Sequence, residues 1–109
     1  MIIAPGFTFP APPVKHPARL VPAVSYTAAY NVLDFPVGSV PITRVIPEDD
    51  AAMESYPGPK EDILFKLVHD GASANTVGLP LNVQVVGRPW QEELVLHVMK
   101  LLQDNVSFH

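Results

Sequence analysis

The fold is decided by residues 78–103, which read GLPLNVQVVGRPWQEELVLHVMKLLQ. Apolar and polar side chains alternate from Leu81 to Val86, and this pattern predicts a strand with one apolar face. Residues 87–89 turn the chain. From about Trp90 to Gln103, apolar residues recur at helical spacing behind an acidic first turn, which predicts an amphipathic helix with Trp90 on its buried face. A strand followed by such a helix is typical of an α/β arrangement.

The residues before this stretch also alternate between strand and helix patterns. We expect Met1 to Ala4 to form a first, truncated strand. Ser25 is expected to cap a helix that ends near Asp34, and residues 39–45 have the β-branched content of a strand. Because proline cannot donate a ladder hydrogen bond, Pro41 favours an edge position for that strand.

A further helix is predicted between the last two strands. It follows a turn-rich stretch with about one helical turn near residues 51–55. Pro59 is expected to begin the helix and Gly71 to end it, with Leu64 in its apolar stripe. The order of strand and helix patterns along the chain predicts an α/β fold.

Composition limits the class of protein. The chain has 109 residues, of which 48% are apolar and 17% charged, so it is of single-domain size at most. Its net charge is −4 and its cationic residues are scattered, which argues against nucleic acid as a partner. No apolar run approaches the roughly 18 residues that a membrane-spanning helix needs. The absence of cysteine fits a reducing compartment, and we expect an intracellular location.

Proline divides the chain into two parts. Six of the 13 prolines fall within the first 22 residues, where each removes a backbone donor. Residues 1–22 are therefore interpreted as a Pro-rich arm and residues 23–109 as an α/β segment. Phenylalanine, valine and leucine are interspersed with these prolines, so we expect the arm from Gly6 onward to lie on an apolar surface of the protein.

The residue patterns do not predict a catalytic, metal or cofactor site in this chain. The histidines lack the spacing of a metal-binding motif, and there is no phosphate-cradling glycine loop. No GxSxG motif is present. Each of four serines has a structural interpretation as a helix cap, a strand residue or a loop residue: Ser25, Ser39, Ser55 and Ser73. We expect no catalytic residue and no cofactor within these residues.

Four stretches, taken in order, resemble the C-terminal end of the amidase signature family: residues 25–36 (SYTAAYNVLDFP), 40–43 (VPIT), 78–84 (GLPLNVQ) and 89–94 (PWQEEL). The resemblance runs over roughly residues 1 to 104. The Val-Pro and Gly-Leu-Pro-x-x-x-Gln patterns are similar to the wider family. The other two stretches resemble its fatty-acid amide hydrolase branch, which includes vitamin-D-hydroxylase-associated proteins.

The resemblance implies a fold and an activity. The family has a mixed sheet flanked by helices, and this chain would be an incomplete, C-terminal segment of that fold. The family hydrolyses amides with a Ser-Ser-Lys triad, in which lysine is the base and a serine attacks the carbonyl. That triad lies upstream of the part matched here. The resemblance therefore implies a fragment of a serine amidase that is inactive alone.

Three apolar residues would line the acyl channel of such an enzyme by resemblance: Val24, Ala28 and Leu64. The helical spacing independently places Val24 and Ala28 on one face. Ordinary core packing is the alternative for all three. Other family members carry a longer aliphatic residue at the position of Ala28 and tryptophan at that of Leu64, so a wider channel is expected here.

Partners are also implied by the resemblance. The substrate of the whole enzyme would be a fatty-acyl amide, and this chain would pair with the remainder of the amidase domain. The family implies association with internal membranes and a possible homodimer of the whole enzyme. The alternative is a noncatalytic module that binds a lipid or another subunit through the same apolar faces. An in-frame upstream triad would favour the enzyme, whereas a genuine start at Met1 would favour the module.

Overall fold

A computed structural model describes residues 1–7, 9–14, 24–59, 61–72 and 75–108. These residues form seven elements in the order β1 (Ile2–Pro5), α1 (Ser25–Val32), β2 (Val37–Arg44), α2 (Pro47–Glu54), α3 (Ile63–Ala72), β3 (Pro80–Val86) and α4 (Glu92–Asn105). The predicted α/β class is confirmed. Residues 8 and 15–22 of the predicted Pro-rich arm lie outside the described residues.

The last strand in the sequence lies at the centre of the sheet. The strand order is β1-β3-β2, and β3 pairs antiparallel with both neighbours. Val85 stands opposite Ile3 on one side and Gly38 on the other. The register shifts between Pro41 and Thr43 of β2, where a bulge accommodates the proline. Pro41 therefore lies in an outer strand of this sheet, as predicted.

Helix α4 covers one face of the sheet. Val85 of β3 and Val95 of α4 are buried, and α4 packs against both β2 and β3. The close approach of α4 to β2 depends on Gly38, because a Cβ atom there would lie 2.0 Å from Met99 Sδ. Since paired residues of antiparallel strands point to the same side, Val85 and Gly38 face α4 together.

Helix α1 lies on the opposite face. Gln84 and its two cross-strand partners, Ala4 and Ser39, point away from α4. The Gln84 side chain reaches Tyr26 in α1. The structure is thus layered in the order α4, sheet, α1, with Gln84 between the sheet and α1.

The part of the predicted arm that is described does contact the protein body. Phe9 is buried and packs edge-on against Phe7, with ring centroids 5.1 Å apart. Gly6 N donates a hydrogen bond to Asn82 O at 3.0 Å, which continues the pairing beyond β1. Val14, the last described residue before the gap, is 94% exposed.

Helices α1 and α3 begin at residues other than those predicted. The residue that caps α1 is Val24, and Ser25 is the first residue of the helix. Helix α3 begins at Ile63 instead of Pro59 and ends at Ala72 instead of Gly71. Asp62 Oδ1 accepts hydrogen bonds from the backbone of the second and third helical residues, at 2.9 Å and 3.3 Å. Asp62 therefore caps the helix that proline was expected to begin.

Helix α2 is longer than the single turn predicted. It covers Pro47–Glu54, with proline at its start and three acidic residues in its first turn. Asp49 Oδ2 accepts a hydrogen bond from Ile46 N at 3.0 Å. Both features stabilise the beginning of a helix. Thr76 Oγ1 donates a 2.5 Å hydrogen bond to Asp50 Oδ1, which joins α2 to the residues before β3.

The predicted burial of Trp90 is wrong. Helix α4 begins at Glu92, and Trp90 precedes it in a turn closed by the hydrogen bond from Gln91 N to Arg88 O. Trp90 has φ of 67° and its side chain is 90% exposed. The helical spacing does not apply to a residue in this turn, so its indole points into solvent. Within α4, Val95 is buried as expected, whereas Leu94 and Leu101 are nearly half exposed.

Candidate functional site

The three predicted channel residues lie on two helices. Val24 caps α1 and is 41% exposed, and Ala28 is half-buried one turn later. Leu64 lies in the first turn of α3 and is 53% exposed. Val24 and Ala28 share a face of α1, in accordance with their spacing. The most extensive packing within the described residues joins the strands to one another and to α4.

The apolar stripe of α3 is exposed to solvent. Phe65 and His69, one turn apart, face inward and line a cavity of about 290 Å³ together with Tyr56 and Gly58. The Phe65 ring centroid is 6.0 Å from that of Tyr56 and 5.8 Å from that of His69. The residues on the other side of the helix are exposed by 76%, 53% and 39%: Ile63, Leu64 and Leu67. The described chain leaves this stripe available for contact.

Gln84 is the polar residue at the centre of the layered structure. Its side chain is 3% exposed, and its Nε2 donates to Pro5 O at 2.8 Å and to Tyr26 O at 2.7 Å. Both partners are carbonyl oxygens, which can only accept, so the amide nitrogen must face them. One buried amide therefore joins β3 to β1 and to α1. Both hydrogens of the Gln84 amide nitrogen therefore have an acceptor within the protein.

A groove separates α1 from the sheet beside Gln84. Its volume is about 240 Å³, and it is lined by Gly6, Thr27, Asn31, Val37, Gly38, Ser39 and Gln84. Ser39 Oγ accepts a hydrogen bond from Asn82 Nδ2 at 3.0 Å. Polar side chains line much of the groove, and no residue of α1 is buried. The helix is thus held on the sheet by few contacts.

Two side chains make hydrogen bonds to the backbone of α2. Ser55 Oγ lies 3.2 Å from both Ala51 O and Ala52 O, and donates within the end of α2. His69 Nε2 lies 2.7 Å from Met53 O. The described part of the chain holds no group of three or more histidine, cysteine or acidic residues placed to bind a metal ion. Ser73 lies outside the described residues.

Sequence reasoning missed the acceptors of the Gln84 amide. They are main-chain atoms of Pro5 and Tyr26, which lie 79 and 58 residues before Gln84 in the chain. A backbone carbonyl carries no residue-specific signature, and only the polar side chain on a covered strand could have indicated such a partner.

No helix of the described residues has the length and apolarity needed to cross a membrane.

The comparison with known proteins gives a consistent result. The chain is 50% identical over 91 residues to fatty-acid amide hydrolase 1 of Sus scrofa, which covers 84% of this chain and 16% of that protein. It is 36% identical over 108 residues to fatty acid amide hydrolase 1 of Caenorhabditis elegans, covering 98% of this chain and 18% of that protein. It is 30% identical over 97 residues to amidase FG08078 of Gibberella zeae, covering 86% and 18%.

The chain thus spans less than a fifth of the length of these relatives. The family model described as Amidase matches residues 1–96. That match includes β1, the whole sheet and the first turn of α4. Because the match covers most of its residues, the chain belongs to the amidase family.

Proposed function

We propose that this chain serves as the C-terminal part of a fatty-acid amide hydrolase-like serine amidase. In that role it forms part of the wall of the acyl channel and an outer part of the sheet. The serines and lysine that cleave the amide come from outside these 109 residues. The observation that carries the proposal is the 50% identity to the pig enzyme over 84% of this chain, combined with exposed apolar helix faces.

Val24, Ala28 and Leu64 form the acyl-contacting surface in this proposal. Val24 and Leu64 are 41% and 53% exposed, so both are accessible to an apolar ligand or to another part of the enzyme. Ala28 lies one turn from Val24 and presents only a methyl group. Covering such groups with an alkyl chain gains about 25 cal/mol per Å² of apolar area removed from water.

The exposed stripe of α3 and the outer strands support a partner in the rest of the amidase domain. Ile63 is 76% exposed, and Ile2 and Ile3 of the outer strand β1 are 46% and 54% exposed. A small sheet with uncovered apolar residues and outer strands is poorly stabilised alone. The remainder of the domain covers these surfaces in the proposed enzyme.

The channel assignment is tested by narrowing the wall at Leu64. The assay uses a chimera in which the matched segment of the pig enzyme is replaced by the corresponding residues of this chain. We expect Leu64→Trp to lower kcat/KM for a long-chain amide about tenfold relative to a short-chain amide. A larger side chain there shortens the space for the acyl chain. A difference of one methylene in an apolar pocket changes the ratio of kcat/KM between two substrates by about 10- to 200-fold.

The control is Leu94→Trp, since Leu94 is similarly exposed and lies within the matched residues 1–96, but belongs to α4, on the face of the sheet opposite α1. It should leave the ratio of long-chain to short-chain kcat/KM unchanged. An unchanged ratio in the Leu64→Trp chimera, with normal expression and overall turnover, would remove Leu64 from the channel wall.

A further inference from the structure

The buried amide of Gln84 fixes the position of the helix that carries two of the proposed channel residues. Tyr26, whose carbonyl accepts its hydrogen bond, lies two residues after Val24 and two before Ala28. In a helix, that carbonyl already accepts the backbone N–H of the residue four positions later. Its second lone pair is available to Gln84 Nε2. The bond therefore holds the first turn of α1 without disturbing the helix.

The other end of α1 is held by the chain itself. Residues 33–36 connect the helix directly to β2, and Phe35 N donates to Tyr30 O at 3.1 Å. Gly87 N donates to Pro36 O at 3.0 Å, which ties this connection to the turn after β3. The C-terminal end of α1 is thus fixed to the sheet, and its N-terminal end depends on a different contact.

Side-chain packing does little to hold the N-terminal end of α1 on the sheet. Helix α1 has no buried residue, and the groove of about 240 Å³ lies between it and the sheet. Gln84 is 3% exposed, so its two hydrogen bonds are made away from water, where a hydrogen bond is electrostatically stronger. Because the same nitrogen donates to Pro5 O, α1 is placed relative to both β1 and β3.

We propose that Gln84 is a positioning residue for the acyl channel: it sets the distance of Val24 and Ala28 from the sheet and thereby the width of the channel. This inference rests on the proposed function. Gln84 does not contact the substrate or the reacting atoms. It acts through the carbonyl of Tyr26, so its loss changes the preference among acyl chains and leaves the bond-breaking groups in place.

The first test measures hydrogen exchange of backbone amides in the 109-residue chain and does not depend on activity. In Gln84→Met, which preserves side-chain length but has no donor, a buried hydrogen bond to the first turn of α1 is lost. We expect the amides of residues 29 and 30, which donate to carbonyls of that turn, to exchange about tenfold faster. Amides of α4 should change less than about twofold. The matched control is Asn82→Leu, which removes the exposed amide two residues earlier on the same face of β3.

The second test uses the chimera with the pig enzyme. Gln84→Met should raise KM for a long-chain amide about tenfold, with kcat within about twofold, because ground-state and transition-state binding of the alkyl chain are lost together. A purely structural role would lower the yield of active enzyme, and with it apparent kcat, equally for all chain lengths. Gln84→Asn retains the donors but is one methylene shorter, so it should raise KM for the long-chain amide to a smaller degree. This variant decides the test if Gln84→Met does not fold.

The two tests separate the inference from the proposed function. Unchanged exchange at residues 29 and 30 of Gln84→Met would overturn the positioning role whatever the chimera does. Faster exchange with an unchanged long-chain KM would overturn the link to the channel. An inactive, folded parent chimera would contradict the proposed function, and the exchange rates alone would then decide whether Gln84 holds α1.

Discussion

Replacing Val85 with aspartate is expected to abolish the cooperative folding of this chain. Val85 is fully buried at the centre of β3, between Ile3 and Gly38 on the neighbouring strands and beneath α4. A carboxylate at this position would lose its hydration with no cationic partner on either paired residue. The cost of burying a lone charge is several kcal/mol, which approaches the roughly 5–15 kcal/mol total stability of typical domains. Because this chain is small and its sheet has three strands, we expect its free energy of unfolding to lie at the low end of that range.

The effect is measured by thermal unfolding of the purified chain, followed by circular dichroism. The matched control is Val37→Asp on the adjacent strand β2, where the side chain is 39% exposed and a carboxylate can remain hydrated. The control should change the free energy of unfolding by about 1 kcal/mol or less. A Val85→Asp variant with the melting temperature of its parent would show that the sheet centred on β3 is not the core of the folded chain.

Replacing Gly38 with valine is expected to destabilise the chain by about 3 kcal/mol, at the upper end of the cost of overpacking a core. The backbone of β2 approaches α4 so closely at Gly38 that a Cβ would lie 2.0 Å from Met99 Sδ and 2.8 Å from Met99 Cε. Rotation about χ3 moves Cε but not Sδ, so relief requires a change of χ1 or χ2 of Met99 within the packed interface. The expected result is a lower urea midpoint with an unchanged slope.

A second substitution tests the cause of this loss. Met99→Ala in the Gly38→Val background removes the atoms that collide, so the double variant should be more stable than Gly38→Val alone. The exposed neighbour on the other face provides the control, and Ser39→Val should be tolerated because valine favours strands. A double variant less stable than Gly38→Val would show that contact with Met99 is not what requires glycine in β2.

The sequence allowed the elements to be predicted because their signals are local. Alternation in β3 and helical spacing in α4 depend only on neighbouring residues, and both elements form where these patterns occur. Helix boundaries were less accurate, since a single side chain can decide them. Asp62 caps α3 three residues after the proline that was expected to begin it, and Trp90 lies outside α4 in a turn with positive φ.

The arrangement of the site required information that no local pattern contains. The spacing placed Val24 and Ala28 on one face of α1, as the structure has them. It did not place Leu64 relative to them, because that depends on how separate helices pack. Nor did it identify what Gln84 contacts, since both acceptors are backbone oxygens at distant points in the chain. The assignment of all three apolar residues to an acyl channel remains a prediction from family resemblance.

The central proposal is that this chain supplies a wall of a fatty-acid amide hydrolase-like enzyme and that the bond-breaking groups lie elsewhere. The most direct measurement is hydrolysis of an oleoyl amide by two purified proteins: the 109-residue chain and the chimera of the pig enzyme that carries its matched residues. We predict turnover by the chimera, and neither turnover nor covalent labelling by a fluorophosphonate for the chain alone. Hydrolysis or labelling by the chain alone, or a folded chimera without activity, would contradict the account.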